Sequence, residues 1–201
     1  SSIFVARPKM LPVVMSIQIR KALQVGFSDS IGIAFMSYAF IIASFTSNFR
    51  KAKSVSNISF FLHKKFNNPY PFAASKFIYG VFIQPWFLPL RESKNLLEET
   101  YLLGRQSGNI NIAFYALGLS EIHNFFSGAP LKEVLERSTK YDQFAANQRE
   151  KLSRDYFNLL ITFCNELMSS SFSNNPFQKD GNTLPDNTDR KKESDFSGVL
   201  L

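Results

Sequence analysis

A single cysteine, Cys164, a single tryptophan, Trp86, and two histidines, His63 and His123, are all that 201 residues offer of several side chains that often carry chemistry. One cysteine excludes an internal disulfide and any zinc site built on cysteine pairs, and it fits a reducing, cytoplasmic setting. Charged residues reach only 19%, where about 25% is usual. A clean membrane span is also missing. The uncharged stretch 30–49 is bracketed by Asp29 and Arg50, but it is apolar only from Ile31 to Phe45 and is interrupted by Ser37 and Ser44. It therefore reads as a buried core helix, with a span near 30–49 as the alternative. A second uncharged run, Phe77 to Leu90, contains Gly80, Pro85 and Pro89, which make it two elements joined by a bend. The phosphate-cradling P-loop, the protein-kinase motif set and the nucleophile elbow are all lacking. No secretory leader is visible, and the chain, opening Ser1-Ser2-Ile3, reads as a piece of something longer.

What is present is apolar bulk. Hydrophobic residues make up 45% and phenylalanine alone contributes 22 residues, enough to bury a sizeable core and to exclude wholesale disorder. The net charge of +7 is a moderate basic excess that assigns no partner by itself. No useful length of chain alternates apolar and polar residues, so the expected class is all-α.

Punctuation divides the chain into about eight helices. The first is expected over Lys9 to Val25, ending at Gly26, and the second from the capping serines Ser28 and Ser30 to about Thr46. The third carries Ala52, Val55, Ile58, Phe61 and Leu62 on one face and stops at Asn67-Asn68-Pro69. The fourth runs from Pro71 to Phe82 and the fifth, after the Gln84-Pro85-Trp86 bend, from Leu90 to Gln106. The sixth spans Ile110 to Phe126, the seventh extends from Pro130 to about Ala146, and the eighth, Glu150 to Met168, sets Leu152, Tyr156, Leu159, Leu160, Phe163 and Leu167 along one stripe. From Ser169 the composition shifts to Ser, Asn, Asp, Lys, Pro and Gly, the signature of a disordered linker. The expected organisation is a helical domain over 1–168 and a linker over 169–201.

Helices two, four and six are nearly free of charge, whereas three, five and seven are amphipathic. Ala34, Ala73 and Ala113 mark the first set at intervals of 39 and 40, and Arg50, Arg91 and Leu131 mark the second at 41 and 40. A two-helix period near 40 is that of stacked antiparallel hairpins, as in tetratricopeptide or HEAT-type solenoids.

Nothing in this pattern nominates a catalytic, cofactor-binding or metal-ligating residue. Neither histidine has a second ligand at metal spacing, so both read as surface or packing residues. Cys164 lies in an apolar helix and reads as buried, and Glu98-Glu99, about 100° apart on helix five, read as solvated. Two features remain. The cations Arg50, Lys51, Lys53, Lys64 and Lys65 form a basic cluster that reads first as a solvated helix face, with a partner-binding face, a nucleic-acid-binding helical repeat included, as the alternative. A nucleic-acid surface would interleave such a cluster with exposed aromatics, but Phe60, Phe61 and Phe66 read as easily as core, so nucleic acid is not the expected partner. Trp86 is expected to fill a groove between hairpins, with a ligand-facing role as the alternative.

Four segments carry a family resemblance: IAFMSYAF (Ile33 to Phe40), FIQPWFLPL (Phe82 to Leu90), GNINIAFYALGLS (Gly108 to Ser120) and, above all, FFSGAPLKEVLE (Phe125 to Glu136). Together they resemble the helical-repeat region that follows the AAA-type ATPase module in large bacterial multi-sensor signalling proteins. The resemblance covers roughly Phe4 to Met168. It implies a non-catalytic segment of a polypeptide whose other parts include a serine/threonine kinase, the ATPase, a GAF sensor and often a histidine kinase, with partners among neighbouring domains or signalling proteins. Gln84, Pro85, Phe87 and Leu88 depart from the basic and polar surroundings that the family places around this Trp. No catalytic residue, cofactor or small-molecule substrate is implied for this segment.

Overall fold

Asparagine, proline and glycine set the helix boundaries. The computed structural model describes residues 10–148 and 151–169, and among them it contains eight α-helices and no strand. They are α1 (Leu11–Val25), α2 (Ile31–Thr46), α3 (Phe49–Phe66), α4 (Pro69–Phe82), α5 (Leu90–Gln106), α6 (Ile110–Phe126), α7 (Leu131–Asn147) and α8 (Lys151–Met168), with a 3-10 turn at Gln84–Trp86 between α4 and α5. Asn48 caps α3 by accepting the Lys51 amide through Oδ1 at 3.0 Å, and Asn68 caps α4 by accepting the Tyr70 amide at 3.1 Å. Proline precedes α5 and α7, as Pro89 and Pro130. Gly108 and Gly128 close the α5–α6 and α6–α7 turns at φ +75° and +82°, a region that side chains resist. The chain divides into two compact units, Ser1–Asn165 and Glu166–Leu201, and α8 runs past the boundary. The linker expected over 169–201 lies, beyond Ser169, outside the described residues.

The two helix classes read from charge are two packing environments. The charge-poor helices α2, α4 and α6 are enclosed by neighbours: α2 packs on α1, α3 and α4, α4 on α3, α5 and α6, and α6 on α5 and α7. The amphipathic helices bury one narrow stripe each. In α3 it is Ala52, Ser56, Ser59 and His63; in α5, Ser93, Leu97, Thr100 and Gly104. In α7 it is Val134, Ser138 and Ala145. These three helices start at Phe49, Leu90 and Leu131, 41 residues apart each time, and the stripes keep the same interval. The tetrapeptides Pro89-Leu90-Arg91-Glu92 and Pro130-Leu131-Lys132-Glu133 repeat at that spacing too.

Small residues in the stripes let helices approach closely. A Cβ on Gly104 would stand 3.0 Å from the backbone of Ala113, so α5 and α6 touch main chain to main chain at that point. Ala34, Ala73 and Ala113 are all buried, as their spacing suggested. Side-chain bonds bind successive turns: Asn68 donates to Asp29 at 2.6 Å and Asn109 donates to the Tyr70 carbonyl at 3.1 Å, each 39 residues back.

The core follows the helix order. Ala22, Ile31, Ala34 and Leu62 join α1 to α2 and α3; Met36, Ala39, Ile78 and Ile83 join α2 to α4. Phe114, Leu117, Ala145 and Phe157 join α6 to α7 and α8. Fully buried side chains such as Leu97, Leu117 and Phe157 contribute about 1.5–3 kcal/mol each. In α8 the buried stripe is Ser153, Phe157, Leu160 and Cys164 rather than the one expected, because Leu159 and Phe163 project outward at 60% and 48% exposure. Among the described residues no helix is long and apolar enough to cross a membrane.

Candidate functional site

The third helix collects the residues that the sequence nominated. Arg50, Lys51, Lys53, Lys64 and Lys65 are all exposed on α3, a helix that contains no acidic residue. None of the five is in an ion pair among the described residues. Their directions follow from 100° per residue. From Arg50, the successive exposed positions 51, 53, 54, 57, 58, 61, 64 and 65 fall within roughly 160° of arc, opposite the buried stripe.

Two residues assigned to the core face belong to this arc instead. Phe61 is 66% exposed and Ile58 is 45% exposed. Phe61 follows Arg50 by eleven residues, about three full turns, so it projects in the same direction and stands in the middle of the charged face. Counting angles instead of apolar spacings reveals it in the sequence. Phe60 and Phe66 are partly buried: Phe60 packs edge-on against Phe72 and Tyr79, and Phe66 lies against the Ala22–Leu62 cluster.

Trp86 does not fill a groove. It is 61% exposed, and its ring stacks on Phe49 with centroids 4.1 Å apart and planes at 20°. One face of the indole is thereby covered. Thr46 to Arg50, Trp86 and Phe87 line a shallow open cleft of about 620 Å³ at the α2–α3 corner. The Lys53 ammonium lies over the Phe87 ring at 4.6 Å, so cation and aromatic alternate here. The Trp86 end of the site is thus placed by the proline-bounded turn after α4, and the remainder by α3.

His63 sits beneath this face, 2% exposed, with Nε2 2.7 Å from the Ser75 hydroxyl and its ring stacked on Phe72 at 5.2 Å. Gly32 makes room for it, since a Cβ there would come within 2.5 Å of the ring. Burial lowers the His63 pKa to about 4, so the ring is neutral at ordinary pH. A second cleft, of about 570 Å³, opens beside it between Phe60, Lys64, Phe72 and Lys76.

The other half of the molecule handles charge differently. Glu121 on α6 is 0% exposed and accepts three hydrogen bonds from Arg137 of α7 at 2.7–3.1 Å. Arg137 also reaches Glu98 of α5 at 2.6 Å, and Lys94 approaches Glu98 at 3.5 Å. The bonds to Glu121 push the Arg137 pKa further up, so the cation persists at all ordinary pH. Glu99 pairs with Lys76 at 2.8 Å. Glu99 is 65% exposed and so solvated as expected while it pairs with Lys76, and Glu98, 36% exposed, is also engaged across helices by Arg137. Cys164 is buried and its thiol pKa is raised by burial, which removes thiolate reactivity. His123 is also buried, with its pKa lowered by that burial.

Chemically, the α3 face offers five cations outside any ion pair among the described residues, two outward aromatic rings and a shallow cleft. Among the described residues no group of three His, Cys, Asp or Glu is placed to hold a metal. A scan of protein-family models, of curated proteins and of solved structures matches nothing to this chain.

Proposed function

We propose that the chain is a non-catalytic scaffold of stacked helical hairpins, a tetratricopeptide-like α-solenoid, whose α3 face is its docking surface. The single observation carrying this reading is the 41-residue interval at which α3, α5 and α7 begin and bury the same stripe. Repeats of this kind bury a continuous core through nearest-neighbour contacts and leave extended surfaces for partners. The hydrogen bonds that tie Asp29 to Asn68 and Tyr70 to Asn109 support the same reading.

The setting belongs to the proposal as well. The segment Phe125 to Glu136, which carries most of the resemblance to the helical region of multi-sensor kinase/ATPase proteins, forms the α6–α7 corner. In such a polypeptide the scaffold would work in the cytoplasm, spacing the neighbouring modules and holding one against another. The test is far-UV circular dichroism with analytical ultracentrifugation on the full chain purified without detergent. A monodisperse, cooperatively melting, mostly helical species supports the scaffold. Substantial sheet, or an aggregate dispersed only by detergent, overturns it.

A further inference from the structure

We infer that the α3 face, which the scaffold reading leaves as a docking surface, binds single-stranded nucleic acid. The inference rests on that reading for the location and goes beyond it for the partner. Between residues 11 and 90 there are eight lysines and arginines and one acidic residue, Asp29. Five of the cations lie on one face of one helix, none in an ion pair among the described residues. From Arg50 to Lys65 the row extends about 22 Å, which matches a linear polyanion better than a point charge.

Charge alone would suit an acidic protein segment equally; the aromatics decide. Phe61 stands outward between Lys53 and Lys64, nearer the Lys64 end of the row, and Trp86, beside Arg50 at the other end, keeps one indole face open because Phe49 covers only the other. Open ring faces between cations are what unpaired bases stack on, and they give a duplex, whose bases are already stacked, nothing to grip. Polyglutamate, which carries the charge without rings, has nothing to stack on them.

Trp86 is the only tryptophan, so it reports binding directly. The experiment titrates the full chain with fluorescein-labelled oligouridylate and oligothymidylate of roughly 12 nucleotides, reading both anisotropy and indole emission. A duplex of the same length and polyglutamate serve as competitors. The expected result is binding of either single strand with quenching of Trp86. Its salt dependence should have a log–log slope of about −2 to −3.5, the value for three to five neutralised phosphates. Phe61→Ala should weaken binding about fivefold or more while leaving the circular dichroism unchanged. The Lys64→Glu/Lys65→Glu pair should flatten the slope by about 1 to 2. If that pair fails to fold, Arg50→Glu/Lys51→Glu asks the same question at the other end of the row. Three results overturn the proposal: no binding at low salt, a duplex bound as tightly as the single strand, or polyglutamate displacing the strand with no change at Trp86. Each leaves the scaffold standing if the chain remains a helical monomer, whereas failure of the scaffold shows in the dichroism before any ligand is added.

Discussion

The helices before Leu90 and those after it share one packing scheme and differ in what they do with charge. Residues 91–148 contain six basic and seven acidic side chains, and every ion pair among the described residues draws its acid from α5, α6 or α7. There the charges are spent internally, with Arg137 tying α7 to α6 and α5. The earlier helices have almost no acid to pair with. They are held instead by aromatic contacts such as Phe60 on Tyr79 at 5.0 Å, Phe40 on Phe82 at 4.7 Å and His63 on Phe72. The lesson is that one helical architecture can spend its charges internally in one half and leave cations outside any ion pair among the described residues in the other.

The largest expected break in this contrast is Arg137→Ala. It would leave the buried Glu121 carboxylate uncompensated, costing about 3–5 kcal/mol in urea unfolding. The double variant Glu121→Met/Arg137→Leu removes both charges and should recover most of that loss. If Arg137→Ala is neutral, the ion cluster does not hold the later helices together.

Acid should act on the earlier helices through His63. The folded state keeps this ring neutral down to about pH 4, while the unfolded chain protonates near the ordinary histidine value. Stability is therefore complete above about pH 6.5 and falls as the pH drops towards 4, by up to about 3 kcal/mol. His63→Gln should flatten most of that fall in urea titrations at successive pH values, and His123, shifted in the same direction, should account for part of the remainder.

Gly32→Ala sharpens the packing side of the comparison. Alanine is the better helix former by about 1 kcal/mol, yet its Cβ would collide with the His63 ring, and the net effect should be a loss of about 1–3 kcal/mol. Combining it with His63→Ala should show coupling, because the collision partner is gone. The smallest effect belongs to the α3 surface. Lys64→Glu/Lys65→Glu should cost about 0.5–1 kcal/mol, since it sets two anions in the last turn of α3 and removes the Lys65 ammonium from over the Phe66 ring.

The sequence makes most helix boundaries legible because Asn48, Asn67, Pro89, Gly108 and Pro130 act locally. Boundaries at Leu90–Gln106 and Ile110–Phe126 are as expected, and the others lie within about two residues. The class of each helix is legible as well, because burial on both sides leaves no room for charge. Facing is less so. Ile58 and Phe61 have apolar spacing that resembles a core face, and only the angle to Arg50 shows them turned outward. The Arg137–Glu121–Glu98 cluster is invisible to periodicity, since it joins α5, α6 and α7 through side chains 16 and 39 residues apart. Trp86 departs from expectation for a similar reason: a proline-bounded bend suggests a plug, and the stacking on Phe49 that holds the ring at the surface is a contact between distant segments.

The central claim, that the chain is a stack of equivalent hairpins, is tested most directly by excising one repeat. Deleting residues 90–130 joins Pro89 to Leu131 and so recreates the same proline–leucine helix start. Arg137→Leu in the shortened chain supplies the residue that α5 has at the corresponding position, Leu96. The account predicts a shortened chain that stays mostly helical and gives a single cooperative melt by circular dichroism, as expected of nearest-neighbour repeats. A shortened chain that loses its helicity or melts without cooperativity would contradict it.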